Sequence, residues 1–337
     1  MDPFLSEIQS TLQKYRMLSR GERVLVACSG GADSIALFHL LKELTPRLGL
    51  RLHLLHFDHA LRRESGSDLQ FVKKLARRFR IPFHGGRRKI FRRKVREDRS
   101  PEEGAREVRY QFFESVAKKT GIRKIALAHH ADDQAETVLM RVIQGTGLRG
   151  LQGIRPVIRQ NGVTYIRPLM EVSRAALRAF LKRKRISFRE DRTNRSSRFL
   201  RNRIRRELVP LLEKKFNPQV RRALSRLAQI ATAESSGLDE WIEQNWKSYL
   251  KDSRNGTVQL DRDRFLALPA PIQFRLLNQC VHLMEPRSGV DFESWKRIEG
   301  QLAGGRLRMT LPRNVDLSLT PKKLFVRKNA TMRVSNA

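Results

Sequence analysis

Two hydrophobic periods alternate along the N-terminal part of the chain. Residues 23–27 are apolar after Arg23 and predict a buried strand. A Ser-Gly-Gly turn follows, and residues 35–44 predict an apolar helix. Residues 51–57, with Leu52, Leu54 and Phe57, predict a second strand. Residues 67–80 predict a helix with Leu69, Val72, Leu75 and Ala76 on one face. A short strand is expected at 81–84. Residues 85–100 are rich in Gly and Arg and read as a mobile loop. Pro101 with Glu102 and Glu103 opens a helix running to Thr120, since Pro and acids suit a first turn. A strand at 124–128 and a helix at 131–143 complete the alternation. Strands alternating with helices specify the α/β class, here a doubly wound, Rossmann-like parallel sheet.

The pattern changes after residue 153. Residues 163–168 predict a strand, 173–185 a capped basic helix, and 194–215 a very basic segment, helical in its second half. Asn217-Pro218 marks a boundary, so domains 1–215 and 216–337 are expected. The second domain is mainly helical (220–249, 270–284 and 291–302). It has a short strand at 258–260 and ends in small strands at 306–311, 315–319 and 324–326.

Charge sharpens this picture. The 337 residues include 69 Lys+Arg and 34 Asp+Glu, a net charge of +35. Residues 62–96 hold 14 Lys/Arg against Glu64 and Asp68, and residues 174–222 hold 18 against four acids. Two basic strips suit a phosphate backbone followed over some distance. No strip has the bulky apolar face of an interfacial helix. No stretch approaches the roughly 18 apolar residues of a spanning helix, and the start Met1-Asp2-Pro3-Phe4 has no basic-then-apolar leader pattern. A cytoplasmic protein without membrane attachment is expected. Cys28 and Cys280 form no disulfide framework and no cysteine zinc site.

Two clusters carry candidate chemistry. Ser29-Gly30-Gly31-Ala32-Asp33-Ser34 lies between a strand and a helix, where backbone N–H groups and a helix N-terminus point at an anion. Asp33 beside a phosphate calls for a divalent cation between them. The plainer reading is a turn with Ser and Asp caps. His129-His130-Ala131-Asp132-Asp133-Gln134-Ala135-Glu136-Thr137 begins at a strand end, where such sheets bind ligands. Asp133 and Glu136 share a helix face and could hold a metal or an ammonium group, whereas Asp132 reads as a cap. The Gly-x-G-x-x-Gly match at Gly145–Gly150 follows a helix and is read as a hinge or substrate loop.

In order along the chain, the Ser-Gly-Gly-Ala-Asp-Ser turn is followed by Asp58-His59-Ala60-Leu61-Arg62, Gly104-Ala105-Arg106-Glu107-Val108-Arg109-Tyr110 and the 129–137 cluster. After these come residues 145–151, Arg167-Pro168-Leu169, Asp191-Arg192-Thr193-Asn194 and Arg201-Asn202-Arg203. The turn is similar to the PP-loop of N-type ATP pyrophosphatases. The ordered set, over residues 20–215, resembles the tRNA(Ile)-lysidine synthetases. Longer members of that family carry a further C-terminal domain, and this chain is expected to stop before it.

The resemblance implies ligation of free L-lysine to C2 of the wobble cytidine in the CAU anticodon of tRNA(Ile). Cytidine O2 first attacks the ATP α-phosphate and diphosphate leaves; the lysine amine then displaces AMP. It further implies ATP contacts from Ser29, Gly30, Gly31, Ala32, Asp33, Ser34, His129 and His130, with Mg2+ near Asp33. Asp133 and Glu136 would hold lysine, and one of them would take its proton. Arg109 would clamp a phosphate or the cytosine carbonyl. Arg87, Arg88, Arg92, Arg93, Arg201 and Arg203 would meet tRNA. Asp33, Arg109, Asp133 and Glu136 are thus the candidate catalytic set, and a homodimer is among the states left open. The alternative is a PP-loop tRNA thiolase, which would need paired sulfur-bearing cysteines. A small-molecule ligase would not need the charge, and a plain RNA-binding protein would leave both clusters unexplained.

Overall fold

The computed structural model describes residues 3–58, 65–87, 101–189, 200–254, 256–285 and 288–328. These form two compact units, Met1–Thr232 and Ala233–Ala337. The sequence places the boundary at 215/216. The 30-residue helix Val220–Tyr249 continues across the compactness division, so Asn217-Pro218 ends one helix without ending the first unit. Among the described residues, no helix is long and apolar enough to cross a membrane.

The first unit opens with α1 (Pro3–Lys14), β1 (Arg23–Ala27), α2 (Ala32–Leu48), β2 (Arg51–Asp58), α3 (Ser65–Arg78) and β3 (Phe83–Arg87). It continues with α4 (Pro101–Thr120), β4 (Lys124–Ala126), α5 (Ala131–Ile143), the single turn α6 (Leu148–Leu151), β5 (Val157–Gln160), β6 (Val163–Ile166) and α7 (Arg174–Arg183). The six strands lie in the order β3-β2-β1-β4-β6-β5, all parallel except β5, which is antiparallel to β6.

Alternation along the strands assigns the two faces. Val24, Val26, Leu54 and Ala126 join one core with α2, α3 and α7, through residues such as Leu37, Val72 and Phe180. Leu25, Leu55 and Ile125 point the other way and join Phe113, Val116 and Ala117 of α4. Each fully buried aliphatic side chain here stabilises the fold by about 1.5–3 kcal/mol. The sheet is therefore covered on both sides, as the unbroken apolar run of β1 requires.

The expected loop at 85–100 needs correction at its start. Gly85, Gly86 and Arg87 pair in register with His56, Phe57 and Asp58 and belong to β3. Glycine persists in this strand because the Phe112 ring occupies the space over Gly86; a Cβ there would meet ring atoms at 2.6 and 2.7 Å. Residues 88–100, including Arg88, Arg92 and Arg93, lie outside the described residues.

The rest of the unit is α8 (Leu200–Arg203), a π-turn (Ile204–Leu208) and α9 (Val209–Lys215), followed by the start of α10 (Val220–Tyr249). The second unit combines α11 (Arg262–Leu266), α12 (Ala270–Met284) and α13 (Phe292–Ala303) with a five-stranded antiparallel sheet ordered β7-β8-β11-β10-β9. Its strands are β7 (Leu250–Arg254), β8 (Thr257–Asp261), β9 (Arg308–Leu311), β10 (Val315–Leu319) and β11 (Lys323–Lys328). Its core packs Leu276, Leu277 and Trp295 against Val258, Leu317 and Val326.

Gly86→Ala should destabilise the chain by about 1–3 kcal/mol through overpacking on Phe112. Chemical denaturation tests this. The double variant Gly86→Ala/Phe112→Leu should lose less than the two single losses added together.

Candidate active site

The strand order sets the place. From β1 the chain moves one way to β2 and β3, then returns to β4 on the other side of β1. The carboxyl ends of β1 and β4 thus flank a crevice at the switch point, and both sequence clusters begin there.

The first cluster is the 28–34 turn. Gly30 has φ +93°, a conformation open to glycine, and its carbonyl accepts from Arg189 N at 2.9 Å. Ser34 is buried, and its hydroxyl donates to Gly31 O (3.0 Å) and accepts from Ser29 N (3.1 Å). The Ser34 hydroxyl braces the turn and is spent there. Gly31 precedes α2 with no side-chain cap, which leaves the first N–H groups of that helix for another acceptor.

A cleft of about 600 Å³ opens over this turn. Arg109, Arg174, Arg178 and Arg189 line it, against the single carboxylate of Asp33. Burial pushes the Arg109 guanidinium down from its usual value, and no carboxylate pairs with it among the described residues. Arg174 Nε is buried without a hydrogen-bond partner among the described residues. Four guanidiniums beside an uncapped helix N-terminus make a site for a polyanion, although Arg189 also lies 3.8 Å from Asp68.

Asp33 Oδ1 is likewise buried without a partner among those residues. Burial raises the Asp33 carboxyl, but the neighbouring His130, Arg174 and Arg205 more than offset this and hold it below the ordinary carboxylate range. His130 stands opposite. Its Nε2 lies 3.4 Å from Asp133 Oδ2 and 3.6 Å from Asp33 Oδ2, and its Nδ1 is 3.8 Å from Asp132 Oδ2. Burial lowers the His130 pKa, yet these three carboxylates raise it above the histidine norm. His130 also caps α5: Nδ1 accepts from Asp133 N at 3.3 Å, and Asp133 Oδ2 accepts from His130 N at 3.1 Å. The imidazolium would give up the first of these bonds. At 3.3 Å it is weak, and the carboxylates outweigh it.

The structure redistributes the roles read from 129–137. Asp132 does not cap its own helix. Its Oδ2 accepts from Arg174 N at the start of α7 (2.8 Å), and its Oδ1 pairs with Arg221 (3.0 Å). Asp133 does the capping and also meets Arg201 Nη2 at 2.9 Å. Glu136, fully buried, receives Arg205 Nε at 2.6 Å and Arg201 Nε at 3.2 Å. Asp133 and Glu136 do share a face, as the spacing predicts, but both are held by arginines from 201–205. Arg201, expected on phosphate, is thus an ion-pair partner, while Arg203 is exposed. Arg87 pairs with buried Asp58 at 3.2 Å. Gly145 (φ +70°) follows the end of α5 and Gly147 precedes the turn α6, so this glycine motif stands away from any strand.

Three cleft arginines, Arg174, Arg178 and Arg189, were not singled out from sequence. Their signal was present as the basic strip 174–222, which reads equally well as an RNA-facing surface. Cys28 is buried below the turn, with its thiol pushed up to about 11. Cys280 lies in the second unit, pushed up to about 12. Both are protonated, inert thiols at neutral pH.

A family model described as a PP-loop domain matches residues 4–212. The chain is similar to the tRNA(Ile)-lysidine synthase of Clostridium acetobutylicum, at 36% identity over 255 residues, covering 75% of this chain and 55% of that protein. It is similar to that of Geobacter sulfurreducens at 36% over 284 residues (84% and 59%), and to that of Clostridioides difficile at 31% over 314 residues (92% and 67%). The chain therefore spans from 55% to 67% of the length of these relatives. Among solved structures it resembles the U34-tRNA thiolase NcsA from Methanococcus maripaludis, with a TM-score of 0.55 and 18% identity over 67% of this chain and 79% of that one. At that identity the likeness shows the fold alone.

A histidine raised in the folded state contributes stability that is full below its unfolded pKa, about 6.5, and is lost as pH rises through the folded value. Wild type should therefore lose stability relative to His130→Asn, which keeps a capping side chain, as pH rises from about 6 to 8. Urea midpoints of the two proteins across this range test the sign.

Proposed function

The chain belongs to the PP-loop family, in its tRNA(Ile)-lysidine synthase branch, and we propose that it uses ATP to ligate free L-lysine to C2 of the wobble cytidine in the CAU anticodon of tRNA(Ile). One observation carries this reading. The uncapped glycine turn and the Asp133–Glu136 pair flank the same switch point, beside a cleft lined by cationic side chains. A phosphate grip and an ammonium-binding carboxylate pair are what a nucleotide-activated ligation to an amine needs.

In the first step cytidine O2 attacks the α-phosphate and diphosphate leaves. The N–H groups at the start of α2 hold the departing diphosphate, and Arg109, Arg174, Arg178 and Arg189 neutralise it. Each well-placed donor of this kind is worth about 3–4 kcal/mol in a transition state. Asp33, ionised and with Oδ1 unpartnered among the described residues, fits a nucleotide-borne Mg2+. No group of three or more His, Cys, Asp or Glu forms a cage among the described residues, which suits an ion that keeps phosphate and water ligands. When bound, Mg2+ would supply charge neutralisation on the phosphates.

In the second step the lysine amine attacks C2 and AMP leaves. The free ammonium has a pKa of about 10.4, so its deprotonation near pH 7 costs about 4–5 kcal/mol. Asp133 and Glu136 orient the ammonium, and one of them takes its proton. Both already hold guanidiniums, so lysine enters by exchange with Arg201 or Arg205, one cation for another. Such an exchange keeps buried Glu136 compensated throughout. The thiolase alternative is not favoured: this chain supplies two cysteines, one buried in each unit.

Purified protein incubated with ATP, labelled lysine and total tRNA should yield lysidine in the digested nucleosides, with AMP and diphosphate formed in step. Incorporation of sulfur, or AMP release without lysine transfer, would contradict the proposal. Asp33→Asn should cut diphosphate release about 100-fold or more while leaving tRNA affinity within about twofold. Asp133→Asn should raise the lysine KM and leave the ATP KM near wild type; the reverse pattern would move the lysine site elsewhere.

A further inference from the structure

Arg167, just beyond β6, heads the fully buried side chains by size, at 1% exposure. No carboxylate pairs with it among the described residues. Its Nη1 donates to the Arg155 carbonyl at 2.6 Å, and its Nε donates to His129 Nδ1 at 3.2 Å. A guanidinium has donors only, so His129 Nδ1 must be the acceptor and the ring proton must sit on Nε2.

A second ring proton has no room energetically. It would break the bond from Arg167. It would also add a charge beside Arg167 on the β6 side, Arg106 and Arg109 on α4, and Arg201 on α8. Burial first, then these four arginines, drives the His129 pKa well below the histidine norm. Meanwhile the ring lines the cleft over the glycine turn, and Nε2 has no partner among the described residues.

We propose that His129 is a neutral, single-tautomer Nε2–H donor to a base or sugar acceptor of the bound nucleotide, and that Arg167 is the positioning residue that fixes this tautomer. The inference rests on reading the cleft as an ATP site. The division of labour follows from charge: arginines serve the phosphates, and an uncharged donor suits an uncharged acceptor. Each of the two adjacent histidines thereby gets an opposite state, His130 drawn towards imidazolium by carboxylates and His129 held neutral by arginines.

The test uses the full chain labelled with 15N-histidine and long-range 1H–15N correlation spectra from about pH 5.5 to 8. The signal lost in His129→Gln assigns the residue among the eight histidines. The expected spectrum is the Nε2–H tautomer, unchanged over the whole range. An Nδ1–H tautomer, or titration with an ordinary midpoint, overturns the inference. Arg167→Met should release the lock and give mixed tautomers, and Arg167→Lys, which keeps a donor, should restore it. The wild-type spectrum decides even if the methionine variant does not fold. In ATP titrations His129→Gln, with an amide donor near the Nε2 position, should bind within about threefold of wild type, and His129→Leu about tenfold more weakly. Equal binding by both variants refutes the donor role. Failure of the wild type to bind ATP refutes the ATP reading instead, and leaves the tautomer result standing.

Discussion

A guanidinium taken out of water must find an anion, and the arginines around this switch point divide by how they find one. Arg201 and Arg205 close on Asp133 and Glu136, Arg221 on Asp132 and Glu213, and Arg87 on Asp58. Among the described residues, Arg109, Arg167 and Arg174 do not close on a carboxylate. Arg109 and Arg174 line the cleft over the uncapped start of α2, and Arg167 reaches that cleft through His129, so these cations gather where the backbone also offers free donors. The fold tolerates this because the first unit has a large, doubly covered core to offset the cost. A bound polyphosphate would settle the charge and the donors together.

Much of the fold was legible because its signals are local. Helices at 101–120, 131–143 and 270–284 match the periodicity and end signals, and Ser173 and Asp291 cap the helices they precede. Strands went astray where tertiary contact decides. The strand expected at 81–84 is β3, but it runs on through Gly85, Gly86 and Arg87, which show no apolar alternation; register with β2 and the Phe112 ring over Gly86 extend it. β5 is short and half polar, yet its Asn161-Gly162 turn, with φ of 50° and 74°, is a two-residue hairpin signal that went unused. The edge strand β7 owes its pairing to β8 and bulges between Leu250 and Asp252.

The site was legible in type and less so in pairing. Sequence spacing puts Asp133 and Glu136 on one face, but nothing in a spacing rule says that arginines many residues later will hold them. Asp132 gives up its expected capping role to Asp133 for a similar reason. Which of two adjacent acids caps a helix depends on where the next helix starts, and Arg174 N captures Asp132. The π-turn at Ile204–Leu208 had no sequence signal at all. It lies between Arg201 and the end of the helix and carries Arg205 itself; such turns concentrate at functional sites, where they adjust the angle of a side chain.

These local pairings leave the larger charge imbalance almost untouched. Ion pairs at the switch point consume a few arginines, while the chain carries 69 basic residues against 34 acids. A small-molecule ligase would need the cleft cations and no more, because one nucleotide bears only a few charges. The remaining surplus raises self-repulsion in each unit, and a partner with many phosphates relieves it by releasing counterions along its length. In the proposed function, nucleotide chemistry in the cleft and a polynucleotide along the surface draw on one excess of positive charge at two scales. The proposed ligation places its reactive cytidine where the two meet.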